Sequence, residues 1–273
     1  MMHRHKIRAA VFDIDGTLAM MDKDKGTYTA LPGAAEALAD LAARGLPVVA
    51  YTNGTFFPPA HYYPLLAEAG LVLAPGHILT PATVAAGLLA KKGYRRLMVL
   101  GAEGTKTPVR EAGIDVAEPG DGGAVDAVLV GWTPDFGGKD LEAAAQAIWA
   151  GAPLYATSIA PYFASAKGRM LGISGAIVAA LGNATGATAT VFGKPEPHGL
   201  TLAAEIAGTA PHEMAVIGDD PKLEIAMARR GGAFAVGVTT GIADSAMFSA
   251  APEDTRAHVV LPGLGGLMQR DWW

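Results

Sequence analysis

The chain has 273 residues, 51% of them hydrophobic and 17% charged, with a formal net charge of −5 and no cysteine. That length suits one large or two modest domains, and the composition is too apolar for a disordered chain. The acidic balance excludes an electrostatic nucleic-acid binder, and the lack of cysteine excludes disulfides, thiolate zinc sites and a cysteine nucleophile.

The first residues, Met1-Met2-His3-Arg4-His5-Lys6, are basic, but too few apolar residues follow before Asp13 to form a signal peptide. No run reaches the roughly 18 apolar residues of a membrane-spanning helix. The expectation is a soluble, cytoplasmic protein with no membrane partner. Ile7 to Phe12 is an apolar strand with Arg8 as its only charge, and it stops at Asp13-Ile14-Asp15-Gly16-Thr17-Leu18. In open α/β sheets ligands bind beyond the carboxyl ends of strands, so Asp13 and Asp15 are candidate site residues, with Gly16 allowing a tight turn beside them. Alternate residues of a strand share a face, and two like charges there repel unless a divalent cation or a shared proton lies between them. An exposed strand end followed by an ordinary Asp-Gly turn is the competing explanation.

Ala19 to Ala30 reads as a polar loop whose charges, Asp22, Lys23, Asp24 and Lys25, are solvated. Pro32-Gly33 opens and Gly45 closes a helix over Ala34 to Arg44. Pro47 to Tyr51 is a second buried-type strand, ending at Thr52-Asn53-Gly54. Strand, helix, strand implies a right-handed crossover and a parallel sheet. Thr52 then stands beside Asp13, where a hydroxyl and the free N–H groups of a glycine-containing turn suit a phosphate oxygen. A helix follows over 58–69.

From about Ile78 the pattern starts afresh. A helix over 81–91, a strand over 96–100, a Gly/Thr-rich loop, a strand over 125–130, a helix over 139–150, a strand over 153–157 and a helix over 172–181 form a second α/β unit. It is inserted between two halves of the first, a tolerated route to a new domain. Within it, Trp132 either packs in the core or stacks on an aromatic substrate. The stretch Tyr162 to Ile173, with Lys167 and Arg169, either offers cations to a substrate or is a solvated loop. The first unit resumes near Ala187 with a strand over 188–192 that ends in Gly193-Lys194-Pro195-Glu196-Pro197. Lys194 sits at a strand-to-helix junction, where its ammonium would neutralise phosphate and carboxylates. His198 caps or lines the next helix, Leu200 to Ala207. A strand over 214–217 ends in Gly218-Asp219-Asp220 ahead of Pro221. Asp220 suits an N-cap, whereas Asp219 suits a hard cation, which takes oxygen ligands. A helix Leu223 to Arg230 and a strand Phe234 to Val238 lead to Thr239-Thr240-Gly241, a loop at the same sheet edge. The terminal pair Trp272-Trp273 points to packing or a subunit contact.

Asp13-x-Asp15-Gly16-Thr17-Leu18, Thr52-Asn53, Lys194 in its Gly-Lys-Pro-x-Pro setting and Asp219 occur in an order that resembles the four motifs of the haloacid dehalogenase-like superfamily. Glu224 takes the place of the usual second acid of the fourth motif. The resemblance implies a doubly wound parallel-sheet core over 1–77 plus 187–273, with an inserted α/β (type 2A) cap over 78–186, as in the NagD-like, p-nitrophenylphosphatase branch. It further implies a Mg2+-dependent phosphatase acting on a small phosphorylated metabolite such as a nucleotide, sugar, glycolate or cofactor phosphate. In that scheme Asp13 is the nucleophile that becomes an aspartyl-phosphate, and Asp15 is the general acid and base, made effective by burial and a neighbouring carboxylate. Asp13, Asp219 and the main-chain carbonyl of Asp15 hold Mg2+, while Gly16, Thr52, Asn53, Gly54 and Lys194 bind the phosphate. The presence of Asp15 favours phosphoryl transfer over dehalogenation, since a halide needs no proton. A phosphotransferase, a dehalogenase-type hydrolase and a non-catalytic phosphometabolite sensor are the alternatives on the same scaffold. Family practice also suggests a homodimer formed through the cap. In the cap itself, Ile159-Ala160 replaces an acidic pair common in the branch.

Overall fold

A computed structural model describes residues 6–22, 25–165 and 168–273, and side chains outside 163–169. The chain divides into two compact units, one of Met1–Thr52, Ala60–Leu79 and Lys194–Trp273, the other of Asn53–Pro59 and Thr80–Gly193.

The first unit is built on a six-stranded parallel sheet, in the order Val259–Leu261, Phe234–Val238, Met214–Gly218, Ala9–Phe12, Val48–Tyr51, Ile78–Leu79. Its central strands are apolar along their whole length, as strands covered on both faces must be, and Ala9–Phe12 and Met214–Gly218 are buried at every position. Phe12 is level with Ile217 on one side and with Ala50 on the other. Three strands therefore end together, and the residues just beyond them, Asp13, Asp219 and Thr52, emerge at one sheet edge. The helix Ala34–Ala43 packs Ala34, Ala37, Leu38 and Leu41 inward at helical spacing. Its start needs Gly33, which is left-handed with φ 83°.

The segment expected to be a polar loop, 19–30, is an antiparallel hairpin, Ala19–Asp22 paired with Thr27–Ala30. Alternation explains it: Ala19 and Tyr28 join the core while Met20 stays 49% exposed. Lys25 pairs with Asp22 at 3.2 Å beside the turn, and Lys23 and Asp24 lie outside the described residues. At the chain's end, Trp272 accepts a hydrogen bond from the Ile7 N–H (3.1 Å) and its ring lies 5.2 Å from that of Phe234, while Trp273 Nε1 donates to the Leu267 carbonyl at 3.0 Å. Of the two readings of these tryptophans, packing is observed.

The second unit has a five-stranded parallel sheet in the order Thr190–Val191, Leu154–Ala156, Ala127–Val130, Arg96–Leu100, Asp115–Ala117. The helices Pro81–Lys91, Gly138–Trp149 and Ile173–Thr185 fall where the sequence places them. The Gly/Thr-rich stretch does not stay a loop. It forms the helix Glu103–Glu111, which buries Gly104, Thr105, Pro108 and Val109. Packing of one face has overridden poor helix propensity here. The strand expected to return the chain to the first unit near Ala187 belongs instead to this second sheet. Thr190 and Val191 pair with Tyr155 and Ala156, and Phe192 stacks on Tyr155 with ring centroids 5.4 Å apart. The chain rejoins the first unit only at Lys194. Tyr162–Ser165 and Gly168–Leu171 form an antiparallel hairpin rather than a loop, with Arg169 opposite Ala164; Lys167 and the Arg169 side chain lie outside what is described. Among the described residues no helix is long and apolar enough to cross a membrane.

Helix His198–Ala207 approaches the Tyr51 ring at Gly199, where an added Cβ would overlap ring carbons. Tyr51 is fully buried and cannot swing away. Gly199→Ala is therefore expected to cost about 1–3 kcal/mol. Urea unfolding would register it as a lower midpoint at unchanged slope.

Candidate active site

Asp13 follows the strand Ala9–Phe12 directly, its N–H donating to the Ile217 carbonyl at 3.0 Å, so its backbone is fixed by the neighbouring strand. Its carboxylate accepts from Lys194 Nζ at 2.5 Å. The same ammonium lies 2.6 Å from Glu224 Oε1 and donates to the Tyr51 carbonyl at 2.9 Å. It also sits 5.3 Å from the Tyr51 ring centroid, within cation–π range. Lys194 is 4% exposed and Glu224 2%, so this ion network is sealed from bulk water.

Glu224 is positioned by an unusual turn. After Asp220 the chain makes a π-helical turn, Pro221–Ile225, before the α-helix Ala226–Gly231, so the expected helix from Leu223 starts irregularly. Such turns occur often at functional sites. Asp220 caps it, accepting from the Lys222 N–H at 2.7 Å, as its sequence setting implied. The turn brings Glu224 back so that it accepts from the Asp220 N–H at 3.1 Å. Gly218 is needed beneath it, because a Cβ there would overlap the Glu224 side chain.

Asp219 lies in a cradle of backbone. Its Oδ2 accepts from the Ile242 N–H at 2.7 Å, and Thr17 Oγ1 stands 3.5 Å from Oδ1. Gly16, left-handed with φ 91°, and Gly241 both approach so closely that a Cβ on either would strike the carboxylate. Thr240 Oγ1 closes the loop by donating to the Gly16 carbonyl at 2.6 Å. The loop 239–241 thus reaches the same edge, as expected. Thr52 is buried at the end of Val48–Tyr51, its N–H donating to the Leu79 carbonyl at 3.2 Å. Asp15 forms a bridge with Ala19 and is exposed, contrary to the expectation of burial. Its charge is felt by the Tyr28 and Tyr62 hydroxyls.

Asp13, Asp15, Gly16, Thr52, Lys194 and Asp219 are thus in one compact unit, whereas Asn53 and Gly54 are counted with the second. In that second unit the Asn53 side chain lies close to Gly193, whose N–H donates to the Thr157 carbonyl at 3.0 Å. His198 is the first residue of its helix, whose N-cap is Pro197 with no side-chain cap hydrogen bond, so of its two expected roles it lines the helix, half-buried, and does not cap it.

The electrostatics are unbalanced. Three buried carboxyl groups, Asp13, Asp219 and Glu224, surround the single buried ammonium of Lys194. Burial raises the Asp13 carboxyl well above the usual range; Lys194 opposes the shift, and Glu224 and Asp219 reinforce it. Asp219 is pushed up to about 6, by burial first and then by Glu224. Burial by itself would lower Lys194, but the charges of Asp13 and Glu224 outweigh it and hold the ammonium protonated. Such excess buried negative charge can be relieved by a proton or by a cation.

Comparison with known proteins agrees with this arrangement. Residues 10–115 match the haloacid dehalogenase-like hydrolase family model and residues 191–267 a HAD-hydrolase-like model. Over 255 residues the chain is 31% identical to haloacid dehalogenase-like hydrolase domain-containing protein 2 of Bos taurus, covering 93% of this chain and 90% of that protein. A glycerol phosphate phosphatase from Mycobacterium tuberculosis, solved in complex with magnesium, superposes with a TM-score of 0.85 at 26% identity, covering 97% of this chain and 78% of that one. NagD from E. coli shares the fold with a TM-score of 0.83 at 23% identity, covering 98% of this chain and 100% of that one. The chain belongs to the haloacid dehalogenase-like hydrolases. Within them it is a phosphatase with the fold of NagD.

Replacing Lys194 with methionine leaves Asp13 and Glu224 buried without a counter-charge. A loss of about 3–5 kcal/mol in stability is expected near neutral pH. The Asp13 carboxyl, already raised by burial, would then lose the ammonium that opposes the shift, so the deficit should grow as pH rises above the ordinary carboxyl range and shrink as pH falls. Thermal unfolding of Lys194→Met between pH 4.5 and 8 measures this directly.

Proposed function

We propose that this protein is a Mg2+-dependent phosphatase that hydrolyses small-molecule phosphate monoesters through an aspartyl-phosphate on Asp13, with Asp15 as general acid and base. The observation that carries the proposal is the meeting of Asp13 and Asp219, at adjacent strand ends, with Lys194 bound to Asp13, where buried acids outnumber the buried ammonium. The donor set fits the ion. Mg2+ takes oxygen ligands, needs only one or two carboxylates besides substrate oxygens and water, and is favoured where carboxyls are already crowded. Asp13, Asp219 and the Asp15 main-chain carbonyl would hold it. When bound, Mg2+ offsets the repulsion between an anionic nucleophile and an anionic phosphate.

The chain's own groups divide the remaining work. Lys194 holds one oxygen of Asp13 and leaves the other to attack phosphorus. The new bond joins Asp13 oxygen to phosphorus, the ester oxygen leaves, and Asp15 gives it a proton. Water then attacks the phosphorus while Asp15 takes a proton from it, releasing phosphate and restoring the Asp13 carboxylate and the protonated Asp15. An exposed Asp15 exchanges protons readily with both leaving group and water. On this reading Thr52, Gly16 and the N–H groups of Asn53 and Gly54 would bind the transferring oxygens, where charge concentrates in the loose transition state. The substrate on this reading is a small phosphorylated metabolite.

Phosphate release from 4-nitrophenyl phosphate with Mg2+ and with chelator tests the scheme. Asp13→Asn is expected to lose at least about 10³-fold in kcat, and Asp15→Asn about 10²–10⁴-fold. An Asp13→Asn enzyme that keeps wild-type turnover overturns the assigned nucleophile. Because the Asp219 carboxyl lies at about 6, a proton competes with Mg2+ for it. Calorimetric Mg2+ affinity should therefore rise with pH, by up to about tenfold per pH unit below 6. A pH-independent affinity would contradict Asp219 as a ligand.

A further inference from the structure

The loop 239–243, in the first unit, supplies no side chain to the scheme above, yet it grips Asp219 at two points. The Ile242 N–H donates to Asp219 Oδ2 at 2.7 Å, and the Ala243 N–H donates to the Asp219 main-chain carbonyl at 3.3 Å. At the start of the loop the Thr239 N–H donates to the Leu261 carbonyl at 3.1 Å. The middle of the loop lies at the surface. Thr240 is half-buried, Gly241 is exposed and the Ile242 side chain is 58% exposed. Packing alone does not hold main chain of that kind in one place.

One side chain ties the loop down. Thr240 Oγ1 donates to the Gly16 carbonyl at 2.6 Å, joining positions 224 apart in the chain. Gly16 and Gly241 are the two backbone walls against Asp219 Oδ2, since a Cβ on either would overlap that oxygen. The Thr240 hydroxyl therefore links one wall to the other, next to the N–H that holds the same oxygen. Its methyl carbon packs on the opposite side against Gly263, where an added Cβ would come within 3.2 Å of it. A β-branched side chain has a restricted χ1, and contact on its methyl side keeps the hydroxyl aimed at Gly16. A carboxylate is planar, so once Oδ2 is fixed the direction of Oδ1 follows. Partners that orient a metal ligand in this way contribute to its affinity for the ion without touching it.

We propose that Thr240 is a positioning residue for the metal site, its hydroxyl latching the loop 239–243 to the turn at Gly16 and so holding Asp219 in the orientation that takes Mg2+. Thr240 acts through the Gly16 carbonyl and the Ile242 N–H rather than on the ion. This assignment rests on the Mg2+-dependent reading above, with Asp219 as a ligand.

The test is calorimetric titration of the full chain with MgCl2, wild type against Thr240→Val and Thr240→Ser. Valine keeps the shape and the methyl group but removes the donor, whereas serine keeps the donor. The latch predicts that Thr240→Val binds Mg2+ about tenfold more weakly, the lower end of what the partners of metal ligands contribute, and that Thr240→Ser stays within about threefold of wild type. The Mg2+ concentration that half-saturates 4-nitrophenyl phosphate hydrolysis should rise in parallel. A hydroxyl that only stabilises the fold would lower the unfolding midpoint and leave the Mg2+ affinity of the folded protein unchanged. Thr240→Ala gives a second reading if circular dichroism shows Thr240→Val unfolded. A folded donor-less variant that binds Mg2+ within about twofold of wild type, or a serine variant as weak as the valine one, overturns the latch and leaves the Mg2+ reading standing. Wild-type protein that binds no Mg2+ sinks that reading and the latch with it.

Discussion

One buried ammonium ties the first unit's sheet edge together. Lys194 spans from Asp13, after one strand, to the carbonyl of Tyr51, at the end of the next, and to Glu224, in the turn after a third. Neither Asp13 nor Glu224 would tolerate burial without it, because an uncompensated carboxylate in that environment is strongly unfavourable. The requirement also runs the other way. A lysine with almost no exposure keeps its charge only while both acids are present. Removing any member leaves the others in the wrong charge state, so the network fixes the relative position of three strand ends as firmly as the ladder hydrogen bonds do. Replacement by an apolar cluster of equal volume would stabilise such a core at least as well. The ionic arrangement is therefore explained by chemistry at this edge rather than by folding.

The glycines around Asp219 follow the same logic. Gly16 and Gly241 bring backbone against its carboxylate, and Gly218 leaves room for Glu224 below. Backbone N–H and hydroxyl groups orient the Asp219 oxygens without neutralising them, and the Ile242 N–H and Asp219's own N–H lower its proton affinity. The result is a carboxyl held in a defined orientation with charge still to be satisfied. Crowding acids in this way is destabilising, a common trade at functional sites.

Much of this could be read from the sequence, for a simple reason. Strands buried on both faces are continuous apolar runs, so their ends are marked wherever a polar residue interrupts them. Asp13, Thr52 and Asp219 each stand at such an interruption, and the register of the sheet brings those interruptions level. Lys194 is less visible. It follows a short strand, Thr190–Val191, that belongs to the other sheet, and only its place in the order of motifs marks it. Tertiary contacts with no local signature were missed. The Lys194–Glu224 pair depends on a π-turn that the sequence does not announce. The hairpin over 19–30 owes its form to alternate burial of Ala19 and Tyr28, which surrounding charges obscure. Helix Glu103–Glu111 carries Gly, Thr and Pro and is held by its packing alone.

The acids and the lysine are constrained by strong, directional interactions, so they recur at strand ends in a recognisable order. Phosphoryl transfer itself places few demands on the alcohol beyond a proton for the departing oxygen, so the same Asp13, Asp15 and Lys194 would serve many esters.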